Sequence, residues 1–78
     1  MDVRTELKEM LLDIYSDVDF DNEQNLVDEG ILDSMDIVNL VTEINDNFDI
    51  SIGAKDMTPD NFNSLEATTA LVQKLIDE

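Results

Sequence analysis

One serine in the chain stands where its hydroxyl could be used. The run Gly30-Ile31-Leu32-Asp33-Ser34-Met35-Asp36 puts Ser34 at the start of a predicted helix, just after a long polar stretch. Asp33 is a good N-cap residue, and Asp36, three positions on, adds negative charge at the positive end of the helix dipole. A phosphate ester on Ser34 would lie near the free N–H groups of that first turn. As local structure alone, the same residues are simply a helix start, which is where Asp and Ser prefer to be. A second candidate is Asp17-x-Asp19-x-Asp21, which copies the first three side-chain ligand positions of a calcium-binding loop. There the position that needs Gly is Asn22, and the last ligand position, normally a bidentate Glu, is Asp28. Weak divalent-cation binding is the most that this pattern supports, and a solvated acidic loop is the better reading of it.

Composition narrows the chemistry further. With no Cys there is neither a disulfide framework nor a thiolate nucleophile, and with no His the commonest general base and transition-metal ligand are missing. The chain alone is therefore not expected to be an enzyme. Four Lys plus Arg against twenty Asp plus Glu leave a net charge of −16, which argues against nucleic acid or an anionic membrane as partner. The start Met-Asp-Val-Arg-Thr-Glu does not read as a signal peptide, and no apolar run approaches the roughly 18 residues of a membrane span. The expected compartment is the cytoplasm. Acidity of this degree often marks disorder, but 42% of the residues are apolar and they fall at helical spacing, which indicates a folded acidic domain.

The elements that must position Ser34 follow from that spacing. Asp2 can cap a first helix from about Val3 to Tyr15, with Val3, Leu7, Met10, Leu11 and Ile14 on one stripe. A polar stretch from Ser16 to about Leu32 follows, anchored to the core by Phe20, Leu26, Val27, Ile31 and Leu32. A connection of this length is unusual in a small domain, so it either hides a helical turn or is functional. The second helix, from Asp33-Ser34 to about Asn47, points Ile37, Leu40, Val41, Ile44 and Phe48 inward, with Val38 at the seam. The same arithmetic leaves Met35 on the polar face, exposed beside Ser34.

The Asp49 to Ile52 run alternates, but it is too short for a sheet partner and reads as an extended loop whose Ile50 and Ile52 plug the core. Thr58-Pro59 predicts a single helical turn through Phe62. Asn63 or Ser64 then caps a last helix to about Asp77, with Leu65, Thr68, Leu71, Val72, Leu75 and Ile76 as its inner stripe. Arg4 and Lys8 read as surface residues without a function. The expected architecture is all-α: a small four-helix bundle of three main helices and one short one, a single domain over 1–78, with a long loop between the first and second helices. The core is aliphatic and contains Met, a composition that can deform around an apolar guest.

The chain resembles the acyl carrier protein family. That family's attachment motif is Asp-Ser-Leu, often followed by an acidic residue. Asp33, Ser34 and Asp36 match it, and Met35 is a volume-conserving replacement of the Leu. The likeness extends to Phe48-Asp49-Ile50 and to the stretch from Thr58 to Leu65, so it covers the whole chain. It implies that Ser34 carries a 4′-phosphopantetheine arm, transferred from coenzyme A by a separate Mg²⁺-dependent phosphopantetheinyl transferase. Acyl cargo would ride on the arm's thiol, with fatty acid or related biosynthesis as the main expectation. Two features depart from fatty-acid carriers. Asn39 and Asn45 stand where those carriers have Glu, and Gly30-Ile31-Leu32-Asp33-Ser34 is one residue longer between Gly and Asp, similar to D-alanyl carrier proteins. A D-alanyl, aminoacyl or peptidyl carrier is therefore the alternative, and a small acidic cation-binding interaction module is the alternative from a different class.

The resemblance further implies a monomer that docks transiently on enzymes with basic patches. Its docking surface would be Asp33, Met35, Asp36, Glu43 and Asp46. Self-repulsion at −16 predicts that added salt or Mg²⁺ raises the melting temperature, and a melting point flat across a salt series would contradict this.

Overall fold

The computed structural model describes residues 2–78. In chain order it holds α1 (Val3–Ile14), α2 (Ser34–Phe48), a 3₁₀ turn (Ala54–Asp56), α3 (Pro59–Phe62) and α4 (Leu65–Asp77), with no strand among the described residues. This is the all-α arrangement expected, with the 3₁₀ turn as an addition. Each main helix starts on a side-chain cap from the expected set. Asp2 accepts from the Arg4 N–H, Asp33 from that of Asp36 and Ser64 from that of Ala67. Between Asn63 and Ser64 as cap of α4, the structure selects Ser64.

The core is built from the inward stripes. Leu7 and Leu11 of α1, Leu40, Val41 and Ile44 of α2, and Leu65, Leu71 and Val72 of α4 are buried together with Phe62 of α3. Each such side chain contributes roughly 1.5–3 kcal/mol through burial. Thr68 sits among them with its hydroxyl satisfied, donating to the carbonyls of Asn61 and Ser64. Ile76 departs from expectation: it is 39% exposed. It lies in the last turn of α4, and the stripe stops packing at Leu75.

The loop from Tyr15 to Asp33 supplies three buried anchors of its own, Phe20, Leu26 and Leu32. Val27 and Ile31, also expected as anchors, are half-buried against the same cluster. The loop does hide one helical turn, closed by Glu29 N–H to Asn25 O at 2.8 Å. Gly30, at φ +76°, ends that turn in the left-handed region that glycine adopts without strain. A bond from Leu32 N–H to Leu26 O (2.9 Å) then folds the chain back toward α2.

Asn63 fixes this loop from the far side of the fold. Its backbone carbonyl accepts from Leu26 N–H, and its side-chain Oδ1 accepts from the N–H groups of Val27 (2.9 Å) and Asp28 (3.0 Å). The segment that delivers the chain to Ser34 is therefore pinned, although it is not helical.

Candidate functional site

The start of α2 is a reciprocal capping box. Asp33 Oδ1 accepts from the Asp36 N–H at 2.9 Å, and Asp36 Oδ2 accepts from the Asp33 N–H at 3.3 Å. Two of the donors left unpaired at a helix start are thereby satisfied. Ser34 is the first residue inside the box and is exposed. Because Asp33 does the capping, the helix makes no demand on the Ser34 hydroxyl.

A third group joins the box. Tyr15, the C-cap residue of α1, donates its hydroxyl to Asp36 Oδ2 at 2.7 Å. This hydrogen bond to a carboxylate, helped by desolvation, raises the phenol's pKa above its ordinary value. Asp36, expected on the docking surface, is half-buried, and one of its oxygens is occupied by two donors.

The other expected docking residues lie open. Met35 is 68% exposed, and Asp33, Glu43 and Asp46 are exposed as well. Val38 adds a second outward apolar side chain at 49%. A cleft of about 210 Å³ opens directly beside Ser34, lined by Ser34, Ile37, Val38 and Met57. Of the two Asn residues that replace Glu of fatty-acid carriers, Asn39 is exposed, while Asn45 turns to structural use: its Oδ1 accepts from Ile52 N–H at 3.0 Å.

The charges divide the molecule. No Lys or Arg occurs between Lys8 and Lys55, so the loop and α2 are purely acidic. Arg4 and Lys8 are engaged in ion pairs. Arg4 pairs with Asp21 (2.9 Å) and Glu66 (2.8 Å), and Lys8 pairs with Asp21 (2.6 Å). Lys8 first, then Arg4, holds the Asp21 carboxyl below the usual carboxylate range, and Arg4 does the same for Glu66. These cations clip the loop to α1 and α4. Two carboxylates of the calcium-loop pattern are engaged locally: Asp21 with the two cations, and Asp19 with Asn22 Nδ2 at 2.7 Å. Among the described residues, no cluster of three or more acidic, Cys or His side chains is arranged to hold a metal ion. Among the described residues, no helix is long and apolar enough to cross a membrane.

Sequence reasoning missed Met57 as a neighbour of Ser34 and Tyr15 as a partner of Asp36. Tyr15 reads as one more core aromatic, and nothing in its spacing reveals a bond to a carboxylate in another element. Met57 follows a 3₁₀ turn too short to show a periodicity.

An exposed serine on a capped helix start, in a small acidic all-α fold, defines a class. Residues 3–72 match the family described as "Phosphopantetheine attachment site", and the chain belongs to that family of phosphopantetheine-dependent carriers. Among its relatives, the D-alanyl carrier protein of Lactococcus lactis subsp. cremoris strain MG1363 is 33% identical, over 92% of this chain and 99% of that protein. The D-alanyl carrier protein of Lactococcus lactis subsp. lactis strain IL1403 is 35% identical over the same shares. No solved structure matches the chain significantly.

Proposed function

We propose that the chain carries a small aminoacyl group, D-alanine in the first instance, as a thioester on a 4′-phosphopantetheine arm joined to Ser34. One observation carries the attachment: the exposed Ser34 hydroxyl, held at the first position of α2 by a box that does not use it. The residues present fit the group. The hydroxyl can reach a phosphorus in bulk solvent, and the cleft lined by Ile37, Val38 and Met57 offers the arm an apolar wall. Attachment would join the Ser34 oxygen to the phosphorus that bears pantetheine, break the pyrophosphate linkage of coenzyme A and release adenosine 3′,5′-bisphosphate. The hydroxyl proton would pass to a base of the transferase, with Asp33 contributing to contacts with that enzyme. The arm supplies the thiol that a chain without Cys lacks.

The likeness to D-alanyl carrier proteins supports the aminoacyl cargo. Fatty-acyl cargo is the second reading, and Asp36, shared with ordinary acyl carriers in the family resemblance, speaks for it. The chain's own part is transport. Met35, Val38, Glu43 and Asp46 form an apolar and acidic surface suited to basic patches on partner enzymes. Contacts led by charge associate fast and let go easily, as a carrier visiting several enzymes requires. Tethering then replaces diffusion of the cargo with a high effective concentration at the docked enzyme.

The test is intact mass after incubation with coenzyme A, Mg²⁺ and a broad-specificity phosphopantetheinyl transferase, with Ser34→Ala alongside. The wild type should gain one phosphopantetheine and the variant none. The loaded carrier is then offered D-alanine with ATP and an adenylating ligase, and a fatty acid with an acyl-ligating enzyme. Loading with D-alanine supports the first reading, and loading with fatty acid alone replaces it with the second.

A further inference from the structure

We propose that Tyr15 is a positioning residue for modification of Ser34: its hydroxyl, bonded to the Asp36 carboxylate, fixes the start of α2 against the end of α1 and so sets where the Ser34 hydroxyl is presented. The proposal rests on the reading of Ser34 as the attachment point.

Three features of the site lead to it. First, Asp36 Oδ2 is shared. The atom that closes the capping box on the Asp33 N–H also accepts from Tyr15 Oη at 2.7 Å. Ser34 lies between the two box residues, so its backbone follows whatever orientation the box holds. Second, the loop of residues 15–33 is held by its buried anchors and by Asn63, contacts that involve neither Tyr15 nor Asp36. Among the described residues, the Tyr15–Asp36 bond is the one side-chain hydrogen bond that ties the end of α1 to α2. Third, the phenol is itself anchored, because the Tyr15 ring packs against the hydrophobic core. The hydroxyl is therefore presented by a fixed platform, and the bond it makes is directional. Hydroxyl groups displaced by about an ångström from an attack geometry lose rate steeply, so a clamp of this kind acts on turnover more than on encounter.

A docking charge and a positioning clamp make opposite forecasts for the same residues. If Asp36 served only as a charge facing the transferase, losing the Tyr15 hydroxyl would change nothing. If the pair is a clamp, Tyr15→Phe, which keeps the ring and its packing, should impair modification without touching any charge.

The experiment is steady-state modification of the full chain by a broad-specificity phosphopantetheinyl transferase at varied carrier concentration. Wild type, Tyr15→Phe, Asp36→Ala and the double variant are compared, with circular dichroism melts to confirm that each is folded. Tyr15→Phe should lower kcat about three- to tenfold, the effect of losing one hydrogen bond, and change KM less than about twofold. The double variant should match the kcat of Asp36→Ala, because the hydroxyl has nothing left to hold. A Tyr15→Phe kcat equal to wild type would overturn the proposal while leaving the attachment reading intact, as would effects that multiply in the double variant. A wild type that gains no mass would overturn the attachment reading and the proposal with it.

Discussion

Two serines open two helices in this fold, and their fates differ. Asp33-Ser34-Met35-Asp36 begins α2, and Asn63-Ser64-Leu65-Glu66 begins α4. Ser64 is itself the N-cap: it is 7% exposed and its Oγ accepts from the Ala67 N–H at 3.1 Å. Ser34 stands one residue further in, exposed, because the Asp before it does the capping. The preceding residue decides between the two outcomes. The Asn63 side chain is committed to the loop at Val27 and Asp28, leaving Ser64 to cap, whereas Asp33 turns its carboxylate onto its own helix. A hydroxyl at a helix start is available for chemistry only when another side chain has taken over the cap.

The largest stability difference should therefore separate the two serines. Ser64→Ala removes a buried cap and should cost about 1–2 kcal/mol in urea unfolding, whereas Ser34→Ala should stay within about 0.5 kcal/mol of wild type. Equal costs would break the comparison. Asp33→Ala comes next, at about 1 kcal/mol, since it removes the cap that frees Ser34. Its companion effect, slower modification of Ser34, would show that the cap and the presented hydroxyl belong together.

The smallest effect concerns the cation clip on the loop. Asp21 titrates below its unfolded range, so its contribution to stability is fully present above the ordinary carboxylate pKa of about 4 and is lost as pH falls through its lowered folded value. The gap in urea midpoint between wild type and Asp21→Asn should accordingly close on acidification. A gap that widens toward low pH would contradict the ion-pair account of this corner.

Most of the helical framework was legible in the sequence because it rests on short-range rules. Stripes at helical spacing marked α1, α2 and α4, Pro59 marked the start of α3, and Asp2, Asp33 and Ser64 stood among the expected caps. The exposed Met35 beside Ser34 followed from the same angular arithmetic. Hidden from it were contacts between residues far apart in the chain: Asn63 to Val27, Arg4 to Glu66 and Tyr15 to Asp36. Each joins polar groups on different elements, and no periodicity encodes such a meeting. Ile76 fails for a related reason, since the arithmetic assigns a face to every residue but cannot tell where the neighbouring helices stop. On cargo the motif points both ways: its Gly30-to-Asp33 spacing resembles D-alanyl carriers, whereas Asp36 resembles ordinary acyl carriers.

The central claim is that Ser34, and not Ser64, receives the phosphopantetheine. Fragmentation mass spectrometry of the intact, transferase-treated chain tests it directly. The account predicts a single added group located on Ser34, an unmodified Ser64, and no addition to Ser34→Ala. An increment found on Ser64, or one that survives Ser34→Ala, would contradict it.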